Sequence, residues 1–177
     1  MLKNLEEKFK LFCKSKNLEV NNNQLLVIKK LQDYYKKNFK LFIFDFFSKK
    51  DPKKSFYLYG DVGVGKTMIL DFFYNQIIEK KKKLHFNEFM LSFHDFVHKR
   101  KNIDEHNVVN LFVKDLKSKV SLLYFDEFQV TNIVDAMILG KLFDEIFKEN
   151  VKIILTSNTK ISELYKDGLQ RDQFKPF

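Results

Sequence analysis

The sequence predicts an α/β fold in which a parallel β-sheet is sandwiched between helices, and three observations carry that prediction. From residue 55 onward, short apolar runs alternate with segments of helical period, the rhythm of strand–helix–strand units. Three of the five glycines fall in one eight-residue stretch, Gly60-Asp61-Val62-Gly63-Val64-Gly65-Lys66-Thr67, between such a run and such a helix. The run Ser121–Phe125 is apolar almost throughout, as a strand covered on both faces must be, and leads into the acidic pair Asp126-Glu127.

A chain of 177 residues has enough length for one real core. We divide it into an N-terminal helical segment, residues 1–50, and an α/β core, residues 51–177. In the first segment Leu25, Ile28, Leu31 and Tyr35 fall close to one helical face, with Asn21, Asn22 and Asn23 as capping candidates before them. The polar break Lys49–Lys54 leads into a strand at Ser55–Tyr59. A helix over Met68–Glu79 follows, with Ile69, Leu70, Phe73 and Ile77 at helical spacing. Lys80–Lys83 is then expected as a charged connection, Leu84–Phe89 as the second strand, and residues 91–101 and 105–119 as helices. Ser121–Phe125 is the third strand, and Ile133–Phe147 a helix with Thr131 or Asn132 as N-cap. Val151–Thr156 is the fourth strand.

Composition narrows the setting. The single cysteine, Cys13, excludes a disulfide framework and fits a reducing compartment. Met1–Lys10 is of mixed charge, unlike a signal or transit peptide. The strongest apolar run, Leu41–Phe47, is short and broken by Asp45, so no integral membrane segment is expected and the chain reads as cytoplasmic. The net charge of +9 comes almost wholly from lysine, since only Arg100 and Arg171 are arginine. We read it as a solvated surface, with nucleic acid a less favoured partner. The many phenylalanines are read as core rather than as base-stacking platforms.

The glycine stretch fits the P-loop pattern G-x-x-x-x-G-K-[ST] at every fixed position. Its backbone must turn tightly enough for consecutive N–H groups to face a phosphate, and side chains on the glycines would block that approach. A strand before it and a helix after it set the phosphate at a helix N-terminus, where unpaired amides and the helix dipole favour negative charge. Gly60, Asp61, Val62, Gly63, Val64, Gly65, Lys66 and Thr67 are therefore the candidate nucleotide-binding residues. Lys66 is expected on the terminal phosphates and Thr67 on Mg2+. Asp126-Glu127, closing an apolar strand, has the Walker B arrangement. Asp126 would hold Mg2+ together with Thr67, and Glu127 would orient and deprotonate the attacking water. Asn158, just past the fourth strand, is a candidate sensor of the γ-phosphate or the water. Arg171 is a candidate arginine finger for a neighbouring subunit, since guanidinium suits a transferring phosphoryl group. The expected cofactors are ATP and Mg2+.

Other chemistry is set aside. His94 and His98 lie one helical turn apart, but Asp95 stands where the zincin pattern has glutamate, so helix packing or an interface is the better reading. A GTPase is disfavoured because no N-K-x-D motif occurs. A small-molecule kinase is disfavoured because the Asp-Glu pair serves to activate water.

Six segments together resemble the ZapE family of AAA+ ATPases, which includes a bacterial cell-division protein and mitochondrial relatives. They are Tyr57–Thr67, His85–Met90, Phe125–Thr131, Asp135–Leu139, Thr156–Asn158 and Gly168–Arg171. The resemblance covers roughly residues 20 to 177 and implies an ATP hydrolase that works as a ring-like homo-oligomer, with Arg171 acting in trans. It implies a peripheral place at the division site and a division-machinery partner such as the tubulin-like Z-ring protein. It also implies a fifth strand beside the P-loop strand and a helical lid, neither of which fits after Arg171. The expected fold is therefore the P-loop AAA+ core lacking its last strand and lid. The alternatives are a nucleotide-dependent binding module with little turnover and a helicase-loader-like ATPase.

Overall fold

The computed structural model describes residues 4–39, 54–100 and 104–164, apart from the side chains of residues 105 and 106. Among the described residues four strands, β1 (Ser55–Tyr59), β2 (Lys81–His85), β3 (Leu122–Asp126) and β4 (Lys152–Ser157), form one sheet in the order β1-β4-β3-β2. Every pairing is parallel. The helices are α1 (Leu5–Ser15), α2 (Asn22–Phe39), α3 (Lys66–Gln76), α4 (Phe86–His98), α5 (Glu105–Lys119) and α6 (Ile133–Lys148).

The strands' period of two divides the core into two layers. Leu122, Tyr124 and Ile154 face α1, α2 and α3, where Phe9, Ile28, Leu31, Leu70 and Phe73 are buried with them. Leu123, Phe125, Ile153 and Leu155 point the other way, into a core with Phe89, Val113, Leu139 and Leu142 of α4, α5 and α6. The phenylalanines are chiefly core: Phe125 packs edge-on against Phe86 and parallel to Phe143, with centroids 5.8 and 6.0 Å apart.

β3 and β4 are buried along their whole length, as their apolar sequences require. Asn132 is the N-cap of α6, its Oδ1 accepting the Val134 N–H at 2.8 Å. Among the described residues β1 has a strand neighbour on one side only. No described helix is long and apolar enough to cross a membrane.

The region around β2 departs from expectation. The strand lies at Lys81–His85 rather than Leu84–Phe89, so three lysines expected in a connection belong to the sheet. Lys81 and Lys83 point to the α3 side, their ammonium groups 4.5 and 4.8 Å from the ring centres of Tyr74 and Tyr124. Lys81 Nζ also donates to the Ile77 carbonyl at 2.5 Å, capping the end of α3, which stops at Gln76 rather than Glu79. Lysine suits an edge strand because its aliphatic stem packs while its charge blocks pairing with another chain. The helix α4 then starts at once. Phe86, Phe89, Met90 and Phe93 are all buried at i, i+3, i+4 and i+7, and the Glu88 carboxylate accepts the His85 N–H at 3.3 Å.

Lys152, at the opposite end of the sheet from the C-terminal strand ends, is only 5% exposed. Its ammonium donates to the carbonyl and side-chain oxygens of Asn150 at 2.9 and 2.6 Å. Burial, reinforced by the charges of Lys117 and Lys54, lowers its pKa to about 8 from an ordinary 10.5. The folded state therefore binds fewer protons than the unfolded chain between those values, and stability from this group rises with pH across that window. Against Lys152→Met, the parent is expected to gain about 2 kcal/mol of relative stability between neutral pH and pH 10.5, read from denaturant melts of both proteins.

Candidate functional site

The carboxyl ends of β1, β3 and β4 meet on one side of the sheet, where open parallel sheets bind ligands. β1 runs directly into the loop Gly60–Gly65, which ends at the first residue of α3. Gly63 and Gly65 have φ of 83° and 86°, the left-handed region that side chains disfavour. At Gly65 there is a second constraint, since a Cβ would sit 3.1 Å from Gln24 Nε2 of α2. That amide reaches the loop itself, donating to the Val64 carbonyl at 3.5 Å. The Gly60 N–H donates to the Ser157 carbonyl at 3.3 Å and ties the loop's first residue to β4.

Lys66 is 9% exposed and folds back over the loop, its Nζ donating to the carbonyls of Gly60 and Asp61 at 2.8 and 2.7 Å. Asp61, Val62, Gly63 and Val64 are exposed around it. Thr67, the second residue of α3, donates from Oγ1 to Asp126 Oδ1 at 2.9 Å. Two residues 59 positions apart thus present hard oxygen donors to one point beside the loop. Mg2+ favours oxygen ligands, few of them from protein, with the rest from water and phosphate. This donor pair, with a phosphate cradle next to it, fits that requirement.

Asp126 is 7% exposed and fully engaged. Its Oδ1 also accepts from Thr156 Oγ1 at 2.7 Å and from the Tyr124 hydroxyl at 3.3 Å, while Lys83 Nζ lies 3.3 Å from Oδ2. Burial opposes its ionisation, but the bonds from Thr156 and Thr67 and the charge of Lys83 outweigh this and hold the carboxyl below the ordinary range. Lys83 is shared with Asp71 of α3; its own burial is outweighed by the two carboxylates, which keep its pKa raised. Burial and the Asp126 charge push the Tyr124 phenol up, so it remains a donor.

Glu127 is exposed at the rim, with φ of 55°, and its N–H donates to Thr156 Oγ1 at 2.9 Å. Asn158 is exposed immediately after β4, beside the residue that receives the Gly60 N–H. The structure therefore brings Lys66, Thr67, Asp126, Glu127 and Asn158 to one end of the sheet. Arg171 lies outside the described residues. His94 is bonded to Asp135 Oδ1 through Nε2 at 2.7 Å, linking α4 to α6.

Four residues of this neighbourhood were missed from sequence: Gln24, Lys83, Tyr124 and Thr156. Lys83 was hidden by the reading of Lys80–Lys83 as a connection, although Lys81, Lys83 and His85 alternate onto one period-two face with Leu84 on the other. Thr156 carried a fainter signal, a polar residue closing an apolar strand two positions before Asn158. Gln24 and Tyr124 carried none, because nothing local distinguishes them from helix-face and core residues.

Known proteins resemble this chain in sequence and in fold. Among curated proteins, lactation elevated protein 1 homolog B of Danio rerio is 43% identical over 140 residues, which is 73% of this chain and 28% of that protein. Cell division protein ZapE of Escherichia coli (strain K12) is 37% identical over 130 residues, 73% of this chain and 34% of that protein. The chain thus spans about a third or less of the length of these relatives. Among solved structures, AMPPCP-bound DnaA from Aquifex aeolicus superposes with a TM-score of 0.59 at 19% identity, over 91% of this chain and 47% of that one. DnaI superposes with a TM-score of 0.52 at 17% identity, over 90% and 85%. At those identities the likeness is one of fold, that of P-loop AAA+ proteins. The model of the family described as AFG1-like ATPase matches residues 16–177, and the chain belongs to that family.

Proposed function

We propose that this chain binds ATP with Mg2+ and hydrolyses it, acting as an AAA+ motor or switch on a protein partner. The observation that carries the reading is the 2.9 Å contact between Thr67 and Asp126, which joins the P-loop helix to the end of β3 beside an exposed Glu127. Bound Mg2+ would supply charge neutralisation of the β- and γ-phosphates. The residues of the chain divide the remaining work. The loop amides from Asp61 to Gly65 receive phosphate oxygens, and Lys66 exchanges its two carbonyl partners for phosphate. Thr67 and Asp126 would hold the metal, Asp126 being ready for this because its neighbours keep it ionised. Glu127 orients water and takes its proton, and Asn158 contacts the γ-phosphate or that water. Arg171 would complete the site of an adjacent subunit in a homo-oligomer.

The ZapE relative is a cell-division protein, and by that likeness the proposed setting is the division machinery, with the chain peripheral to it. The biochemical claim is tested by phosphate release from ATP and GTP, with Mg2+ and with EDTA. Multiple turnovers with ATP, abolished by EDTA and weak with GTP, are expected. Tight nucleotide binding without phosphate release would instead identify a nucleotide-dependent binding module.

A further inference from the structure

Thr156, the penultimate residue of β4, is 1% exposed, and its hydroxyl touches both halves of the acidic pair. It donates to Asp126 Oδ1 at 2.7 Å and accepts the Glu127 N–H at 2.9 Å. The carbonyl of the same residue accepts the Phe128 N–H at 2.7 Å, and Ser157 Oγ donates to the Phe128 carbonyl at 2.8 Å. Two successive residues of β4 therefore fasten residues 127 and 128 just after β3 ends. Glu127 needs such fastening, because its φ of 55° lies in the left-handed region that residues with a Cβ avoid.

A hydroxyl has one proton and two lone pairs. With its proton committed to Asp126, only lone pairs face Glu127, and these match the amide N–H that the left-handed turn presents. We propose that Thr156 is a positioning residue that couples the carboxylate on the metal side to the backbone of the water-activating glutamate. Through this one oxygen, the placement of Asp126 sets the placement of Glu127, and the turn aims the Glu127 side chain outward at the rim of the cleft. The kinetic consequence rests on the hydrolytic reading above; the structural coupling does not.

The test compares Thr156→Val, which keeps the shape and removes the hydroxyl, with Thr156→Ser, which keeps the hydroxyl. Amide hydrogen exchange over residues 126–129 is measured in the whole chain, together with nucleotide affinity and ATP turnover. Thr156→Val is expected to exchange about 10-fold faster in that segment. Its turnover at saturating ATP should fall about 10- to 100-fold while nucleotide affinity stays within about 3-fold. Thr156→Ser recovers both. A Thr156→Val protein with the parent's exchange and turnover overturns the proposal, as does equal loss of affinity and turnover in both variants. If Thr156→Val does not fold, Thr156→Cys, whose thiol is a weak hydrogen-bonding group, takes its place with the same expectations. A parent that binds ATP without turnover would sink the hydrolytic reading alone, leaving the exchange arm to decide the coupling.

Discussion

Lys66→Ala is expected to weaken nucleotide binding by about 100-fold or more while leaving the fold intact. Lys66 sits at the first position of α3 with its ammonium held by the carbonyls of Gly60 and Asp61. Those two bonds keep the cation inside the loop it is to serve, so little reorganisation precedes phosphate capture. A charge-assisted hydrogen bond contributes roughly 1.5–3 kcal/mol, and the lysine would make more than one to the triphosphate. Alanine removes them all and leaves binding to the loop amides, the helix dipole and the metal that Thr67 and Asp126 would hold. The check is a titration with a fluorescent ATP analogue, alongside a thermal melt. Near-parental affinity in a folded Lys66→Ala protein would remove the basis for calling Gly60–Thr67 a nucleotide site.

Glu127→Gln separates binding from chemistry. The exchange preserves shape and hydrogen-bonding length but removes the ability to accept a proton at neutral pH. The Glu127 backbone is anchored through its own N–H to Thr156, and its side chain is exposed, so neither stability nor nucleotide affinity depends on the carboxylate. Turnover should fall by roughly 10²–10³, within the range that general-base catalysis contributes, with affinity unchanged. Single-turnover phosphate release at saturating ATP distinguishes loss of the chemical step from slow product release. Equal turnover in parent and variant would assign the water-activating role to another group.

The candidate site was legible where chemistry dictates residue identity over a short span. A phosphate-wrapping loop needs glycine, lysine and a hydroxyl at fixed offsets, and an apolar strand ending in Asp-Glu has few other uses beside it. The sheet was legible for β3 and β4, whose apolar runs are short, flanked by turns and buried on both faces. β2 was not, because Lys81, Lys82 and Lys83 look like a solvated connection in a chain rich in lysine. Their place in the sheet depends on the rings of Tyr74 and Tyr124, which come from α3 and β3. The helix α4 was displaced by the same error: Leu84–Phe89 contains the apolar start of a helix as well as the end of a strand.

The sequence by itself determined that a P-loop pattern and an acidic strand end occur in one α/β chain, since both are local patterns with steric and electrostatic causes. Only the tertiary structure decided how they meet. Parallel pairing of β3 with β4 carries Thr156 to the Asp126-Glu127 pair, and pairing of β2 with β3 sets Lys83 beside Asp126. These partners are 30 and 43 residues from Asp126 in the chain, and no local pattern encodes their contact. Their placement follows from which strands lie side by side, and that is settled by burial of the whole core rather than by any one motif.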